Sequence, residues 1–387
     1  MSRTRAGRAD DRWRLARSPL LQCQGVRAAG LPALTLCATV AACSGDHTPP
    51  ARGPTAPPDL VRATPIVEPA ATAPPDAPRE QLPPGVWESW DVNETKQWLL
   101  FREAPQPDGV ILFVHGGPAM PTSVFSSSFD GPYLEHFHVA HWDQRGAGRS
   151  SLPLPPVQDL TIATYMRDAA VVARRLHARW PDLPLVVAGH SWGTVVAAEL
   201  AAAHPEQVDH LVLMGTVVDV PAMQTVQFEQ LVARGVSEQT IGAPPWDTLA
   251  KIIPVTRAVD EAGGSLGELG PHFGAMITAS VDYTDDDRRA MGQGSRHTLP
   301  TLWPAVAAWR GPSGGAGFEM PVTFIHGADD LSTPLSLVID YHARLDAKAG
   351  KDIFVRPGVA HFVMWEDNVA VARLLYEQVM KRRRGPP

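Results

Sequence analysis

Two residues are best placed to do chemistry: Ser191, in Gly189-His-Ser-Trp-Gly193, and His361, in Pro357-Gly-Val-Ala-His-Phe362. The serine follows an apolar run, Leu185-Val-Val-Ala-Gly189, and precedes an alanine-rich stretch. That is the strand–turn–helix setting of a nucleophile elbow. The turn is tight and neighbouring strands come close, so a Cβ at either glycine would clash. The helix start beyond the turn, with the Trp192 N–H, favours negative charge there. A serine hydroxyl needs a base before it can attack a carbonyl. At such elbows an acid and then a histidine follow the serine along the chain. Of the 14 histidines only His342 and His361 come after the candidate acids. His342 falls inside a helical stretch, Tyr341-His-Ala-Arg-Leu345, whereas His361 falls in a loop after the last apolar run and can reach Ser191. The candidate acids are Asp329 and Asp330, in His326-Gly-Ala-Asp-Asp-Leu-Ser-Thr-Pro334. An acid there would hold the imidazole tautomer and stabilise the imidazolium. A second oxyanion donor must come from the loop after the first core strand, where His115-Gly-Gly-Pro118 stands. Pro118 has no N–H to give, which leaves Gly117 as the donor beside Trp192.

The elements that must position these groups are legible as apolar runs. Val110–His115, His138–Asp143, Leu185–Gly189, Leu211–Gly215, Val322–His326 and Ile353–Arg356 read as buried strands. Helix-like segments cover 161–179, 192–203, 335–347 and 368–382. Apolar strands spaced by helices imply a parallel sheet covered on both faces, an α/β fold. Residues 86–101 look like antiparallel strands at one edge. The alternation breaks over 219–318, a Gly- and Pro-containing stretch of helix formers. It is expected to be a helical cap inserted between a first core part (86–218) and a second (319–387).

Three segments together, His115-Gly-Gly-Pro118, Asp143-Gln-Arg-Gly-Ala-Gly-Arg-Ser150 and Gly189-His-Ser-Trp-Gly193, resemble the α/β-hydrolases of the prolyl aminopeptidase (proline iminopeptidase) family. The resemblance runs from about residue 86 to 382 and is weakest in the cap. It implies an eight-stranded core, a helical cap, no cofactor, and a substrate entering between cap and core. Related hydrolases place the acid three residues after the glycine of this loop and four before the proline, which selects Asp330. In the family, Asp143-Gln-Arg-Gly is a structural loop near the active site. The chain departs at three places. Ala119 replaces the last glycine of H-G-G-P-G, His190 replaces the glycine before the nucleophile, and Ala360 replaces the glycine before the histidine. The expected activity is hydrolysis of a short peptide with a small or proline N-terminal residue. The alternatives are a small-molecule esterase or amidase, and a ligand-binding protein on the same fold. An aminopeptidase also needs cap carboxylates for the substrate's ammonium. Glu229, Asp260, Glu261 and Asp282 are available, but position assigns none, and all four read as solvated surface.

Other chemistry is disfavoured. His136-x-His138-x-x-His141 would place two histidines on one side of a strand and one on the other. It also lacks the aspartate that a metallo-hydrolase pattern would put between them, so no metal is expected. All three cysteines (Cys23, Cys37, Cys43) lie within the first 43 residues. A thiolate zinc site, a catalytic cysteine and a disulfide framework are therefore excluded from the body. The net charge is −7, and the only dense basic run in the folded part is at 381–384, which argues against a nucleic-acid binder.

The first 85 residues have a different character. Seven arginines in residues 1–30 precede an uncharged 12-residue run at 31–42 ending in Val40-Ala-Ala-Cys43. The run is too short to span a bilayer and suits a signal-peptide core. Its end resembles a bacterial lipobox, which would make residues 1–42 a lipoprotein signal and Cys43 the lipidated residue. Residues 44–85 hold 12 prolines and, with Cys43, read as an extended tether. Membrane attachment through Cys43 is the expectation. Ser44, rather than Asp, next to the cysteine points to the outer membrane.

Overall fold

The computed structural model describes residues 82–312 and 317–383. The leader, Cys43 and most of the Pro-rich segment lie outside the described residues. The first strands, β1 (Val86–Val92) and β2 (Thr95–Arg102), form an antiparallel hairpin. Then come β3 (Gly109–Val114), β4 (Phe137–Asp143), α1 (Ile162–Arg179), β5 (Leu185–His190), α2 (Trp192–Ala203) and β6 (His210–Met214). Helices α3 (Val220–Ala233), α4 (Glu238–Ile241), α5 (Leu249–Glu261), α6 (Phe273–Ala279) and α7 (Asp285–Ala307) follow. The chain ends with β7 (Val322–Gly327), α8 (Leu335–Arg344), β8 (Lys351–Arg356), α9 (Val363–Glu366) and α10 (Asn368–Arg383). The sheet has eight strands in the order β1-β2-β4-β3-β5-β6-β7-β8. All pairings from β4 to β8 are parallel, and only those of β2 with β1 and β4 are antiparallel. This is the α/β-hydrolase sheet that the sequence led us to expect.

Both faces of the sheet are buried, which is why its strands read as continuous apolar runs. Along β3, Val110, Leu112 and Val114 enter one hydrophobic cluster while Ile111 and Phe113 enter another. Strands β5 and β6 alternate in the same way. The first cluster packs under α1 and α2, the second under α9 and α10. Helix α1 presents Tyr165, Ala169, Val172, Ala173 and Leu176, a stripe at helical spacing. Its first turn is capped by Thr161, whose hydroxyl accepts from the Thr164 N–H. Helix α2 is buried from Trp192 to Ala201, so it is mostly apolar, and its buried Glu199 accepts from the Trp309 indole at 3.1 Å. A third, smaller cluster joins Leu231, Ile241, Trp246, Val255 and Val259 of α3–α5 to Leu331.

Strand order reverses at β3, which lies between β4 and β5. Loops leaving the carboxyl ends of β3 and β5 therefore diverge and open a crevice, the usual ligand position in such sheets. Helix α7 closes over this end. Its N-terminus carries a capping box in which Thr284 and Asp287 each receive a backbone N–H of the other. The preceding Asp282 corrects one expectation. It is buried rather than solvated, and pairs with Arg102 of β2 at 2.7 Å while accepting from the Gly85 N–H at 2.8 Å. Asp260 is half-buried, and Glu229 and Glu261 are exposed. The three histidines near β4 go to three different partners. His136 meets Asp108, His138 accepts from the Ala104 N–H, and His141 bridges Asp130 and Thr122.

Candidate active site

Ser191 sits between β5 and α2 at φ 53° and ψ −123°. This conformation is rarely adopted by a residue with a side chain, and holding it costs on the order of 1–3 kcal/mol. The surroundings enforce it. The Ser191 N–H donates to Met214 O at 3.0 Å, and the Thr194 N–H to Ser191 O at 2.8 Å. Gly189 and Gly193 are required by close approach. A Cβ on Gly189 would stand 2.6 Å from Gly193 O, and one on Gly193 would overlap the Val114 carbonyl.

Asp330 and His361 are brought together across β7 and β8. His361 Nδ1 lies 2.7 Å from Asp330 Oδ2. Asp330 Oδ1 accepts from the N–H groups of Ser332 and Thr333, both at 2.8 Å, and Oδ2 from the Thr333 hydroxyl at 2.7 Å. Burial alone would push this carboxyl up, but His361, His326 at 3.3 Å and the Thr333 hydroxyl outweigh it and hold it at about 2. Neighbouring Asp329 is exposed and takes no part. His342 lies on α8, half-buried, away from the cavity lining.

The backbone around His361 is held from four directions. Its N–H donates to Ser265 O at 2.9 Å, and its C=O accepts from His190 Nε2 at 3.0 Å. The flanking N–H groups of Ala360 and Phe362 donate to the Glu366 carboxylate at 3.1 and 3.0 Å. Burial pushes His190 down to about 3 and Glu366 up to about 7. His190 is therefore a neutral ring and a donor at Nε2. Neither role was visible in the sequence. The one signal was the departure from the family's glycine at position 190.

The oxyanion candidates are joined by Gln144. Trp192 opens α2, so its N–H has no partner within the helix. Its indole donates to Gln144 Oε1 at 2.9 Å. Gln144 Nε2 donates to His115 O at 2.9 Å, and the Gln144 N–H to His115 Nε2 at 3.1 Å. One side chain thus ties the loop after β3 to the elbow after β5. Gly117 holds φ 112°, where a Cβ would stand 2.7 Å from the Met120 N. The rest of Asp143-Gln-Arg-Gly secures the same loop. Arg145 pairs with buried Asp168 at 2.8 Å, and Asp143 accepts from Tyr283 at 2.5 Å, from the Arg149 N–H and from Ser123.

Ser191, His361, Gly117 and Trp192 line one cavity of about 210 Å³ between the sheet and helices α3, α5 and α7. Its far wall includes Val220, Met223, Ile252, Val255, Val259 and Trp303.

Comparison with known proteins gives the same picture. The profile of the family "Serine aminopeptidase, S33" matches residues 105–368. The probable aminopeptidase YbaC of Bacillus subtilis is 24% identical over 270 residues, covering 66% of this chain and 84% of that protein. The proline iminopeptidase of Neisseria gonorrhoeae is 36% identical over 126 residues, 32% of this chain and 38% of that protein. Among solved structures, a serine hydrolase involved in carbazole degradation, CarC, superposes with a TM-score of 0.53 at 18% identity. That match covers 77% of this chain and all of that one, a likeness of fold. The chain is an α/β-hydrolase enzyme and belongs to the serine aminopeptidase S33 family.

Proposed function

We propose that Ser191 is the nucleophile, His361 its general base and then acid, and Asp330 the carboxylate that orients His361. Together they cleave the acyl C–N or C–O bond of a small peptide, amide or ester through an acyl-enzyme. One observation carries this reading: His361 Nδ1 is bound to Asp330 at 2.7 Å while His361 and Ser191 share the wall of one cavity. With Nδ1–H committed to the carboxylate, Nε2 keeps its lone pair for the Ser191 proton. Attack by Oγ makes a tetrahedral oxyanion, stabilised by the N–H groups of Gly117 and Trp192. Its collapse breaks the bond to the leaving amine or alcohol, which takes the proton from His361. Water then attacks the acyl-enzyme, with His361 again as base, and the acid is released. The family and the relatives named as aminopeptidases support a peptide or amide bond as the one cleaved. A proline-sized acyl group fits a cavity of this volume.

The test is fluorophosphonate labelling of the purified protein beside Ser191→Ala and His361→Ala. Labelling of the wild type alone is expected. A well-folded wild type that does not label would remove the reading.

We also propose that Cys43 carries a lipid that holds the enzyme to the cell envelope, outer membrane rather than inner. Its support is Val40-Ala-Ala-Cys43 between an apolar run and a Pro-rich segment. Equal incorporation of labelled palmitate by wild type and Cys43→Ala in cells would sink this.

A further inference from the structure

Resting on the serine-hydrolase reading above, we infer that the acyl group this enzyme accepts is uncharged and apolar, and that its cavity does not read a free N-terminal ammonium. The wall facing Ser191 is built from aliphatic, thioether and aromatic side chains of α3, α5 and α7, among them Met223, Val255, Val259 and Trp303. Among the described residues that line the cavity there is no Asp, Glu, Lys or Arg. The longer polar side chains on the wall are already committed. Gln224 exchanges hydrogen bonds with the backbone of Trp246, and Gln227 donates to Leu331 O at 2.7 Å. Ser295 donates to Ala119 O at 3.0 Å. An ammonium entering this space gives up its hydration and meets no opposite charge on the lining.

Two acids lie close behind the wall, and neither lines it. Asp260 stands behind Ser265, its Oδ1 buried without a hydrogen-bond partner among the described residues, and it is Ser265 that faces the cavity. Glu366 is spent on the backbone N–H groups of Ala360 and Phe362. Volume sets the size of the group. An apolar cavity of about 150 Å³ takes a benzene ring, so about 210 Å³ takes a cycloalkyl, phenyl or short branched acyl group.

The test compares the p-nitroanilides of cyclopentanecarboxylic acid and of proline at pH 7. The two acyl groups have the same ring and differ in one methylene against one charged nitrogen. The inference expects kcat/KM to favour the carbocycle by at least about tenfold. It expects the prolyl rate to climb with pH as the ring nitrogen loses its proton. It also expects the ratio to survive Asp260→Asn. Equal turnover, a preference for proline, or turnover of neither compound overturns it. A prolyl activity lost selectively in Asp260→Asn also overturns it, by making that carboxylate the ammonium site. Fluorophosphonate labelling of Ser191 in the same preparation keeps the two questions apart. Its absence from folded protein refutes the catalytic reading, whereas labelled protein with the wrong ratio refutes only the substrate class.

Discussion

At the scale of the residue, His190 is the informative departure. It stands next to Ser191, the proposed nucleophile, yet burial holds it neutral down to about pH 3 and its Nε2 is already donating to the His361 carbonyl. It packs against His361 and Phe362 with ring centroids 4.7 and 4.8 Å away. These facts make it a brace for the base rather than a second base. His190→Phe keeps the ring and removes one hydrogen bond of about 1–1.5 kcal/mol, so kcat should fall about tenfold with little change in KM. Loss of a true base would cost several orders of magnitude in the same steady-state assay. The proposed triad could be named from the sequence because each member sits in a local motif with a fixed chain order. The family resemblance, through its spacing to Gly327 and Pro334, selected Asp330 over Asp329, and the structure buries the first and exposes the second. The braces were not legible. Glu366 reaches back to residues 360 and 362 across a turn, and His190 meets a carbonyl 171 residues away. Asp282 was misread for the same reason, since its partner Arg102 lies 180 residues earlier.

At the scale of the element, close approach decides what a helix tolerates. Helix α7 carries two interior glycines, both buried. Around Gly292 a Cβ would meet only the far end of Arg296, at 3.5 Å. Around Gly294 it would stand 2.5 Å from Gly146 O and overlap the Ser151 hydroxyl. Gly292→Ala should therefore stabilise the protein by about 0.5–1 kcal/mol through helix propensity. Gly294→Ala should cost about 1–3 kcal/mol by pushing α7 off the loop after β4. Thermal unfolding of the two variants checks the opposite signs, and equal shifts would contradict the packing. Strands were the most legible elements. Each predicted run matches a strand to within one or two residues at either end, and burial on both faces keeps β3, β5 and β6 free of charged residues. The helices α3–α7 were legible only as an interruption. Gln224 meets Trp246 and Gln227 meets Leu331, contacts that no periodicity announces.

At the scale of the whole molecule, burial leaves two opposed sets of titrating groups. Asp143 and Asp260 are pushed up to about 6 and Glu366 to about 7, while His115 is pushed down to about 4 and His190 to about 3. The acids bind more protons folded than unfolded, so their contribution to stability falls as pH rises from about 4 through 6–7. The histidines bind fewer protons folded, so theirs falls as pH drops from 6.5 through 4 to 3. Burial pushes His138, His326 and His342 down as well, so the histidines outnumber the three acids, and the unfolding temperature should rise between about pH 5 and 6.5. Below about pH 4 it should drop, because Asp330, held at about 2, gives stability that is lost as pH falls through that value. A flat or falling unfolding temperature across pH 5–6.5 in a thermal scan would contradict this sum. The fastening of the helical segment also fixes how substrate can arrive. The Ser265 carbonyl beyond α5 holds the His361 N–H, the Leu331 N–H donates to Gly264 O, and Gln227 of α3 holds the Leu331 carbonyl beside Asp330. Lifting these helices away would pull on the very loops that carry the acid and the base. An enzyme fastened in this way has no jump in rate waiting at an oil–water boundary. Its turnover of a short-chain ester should pass smoothly through the concentration at which droplets form.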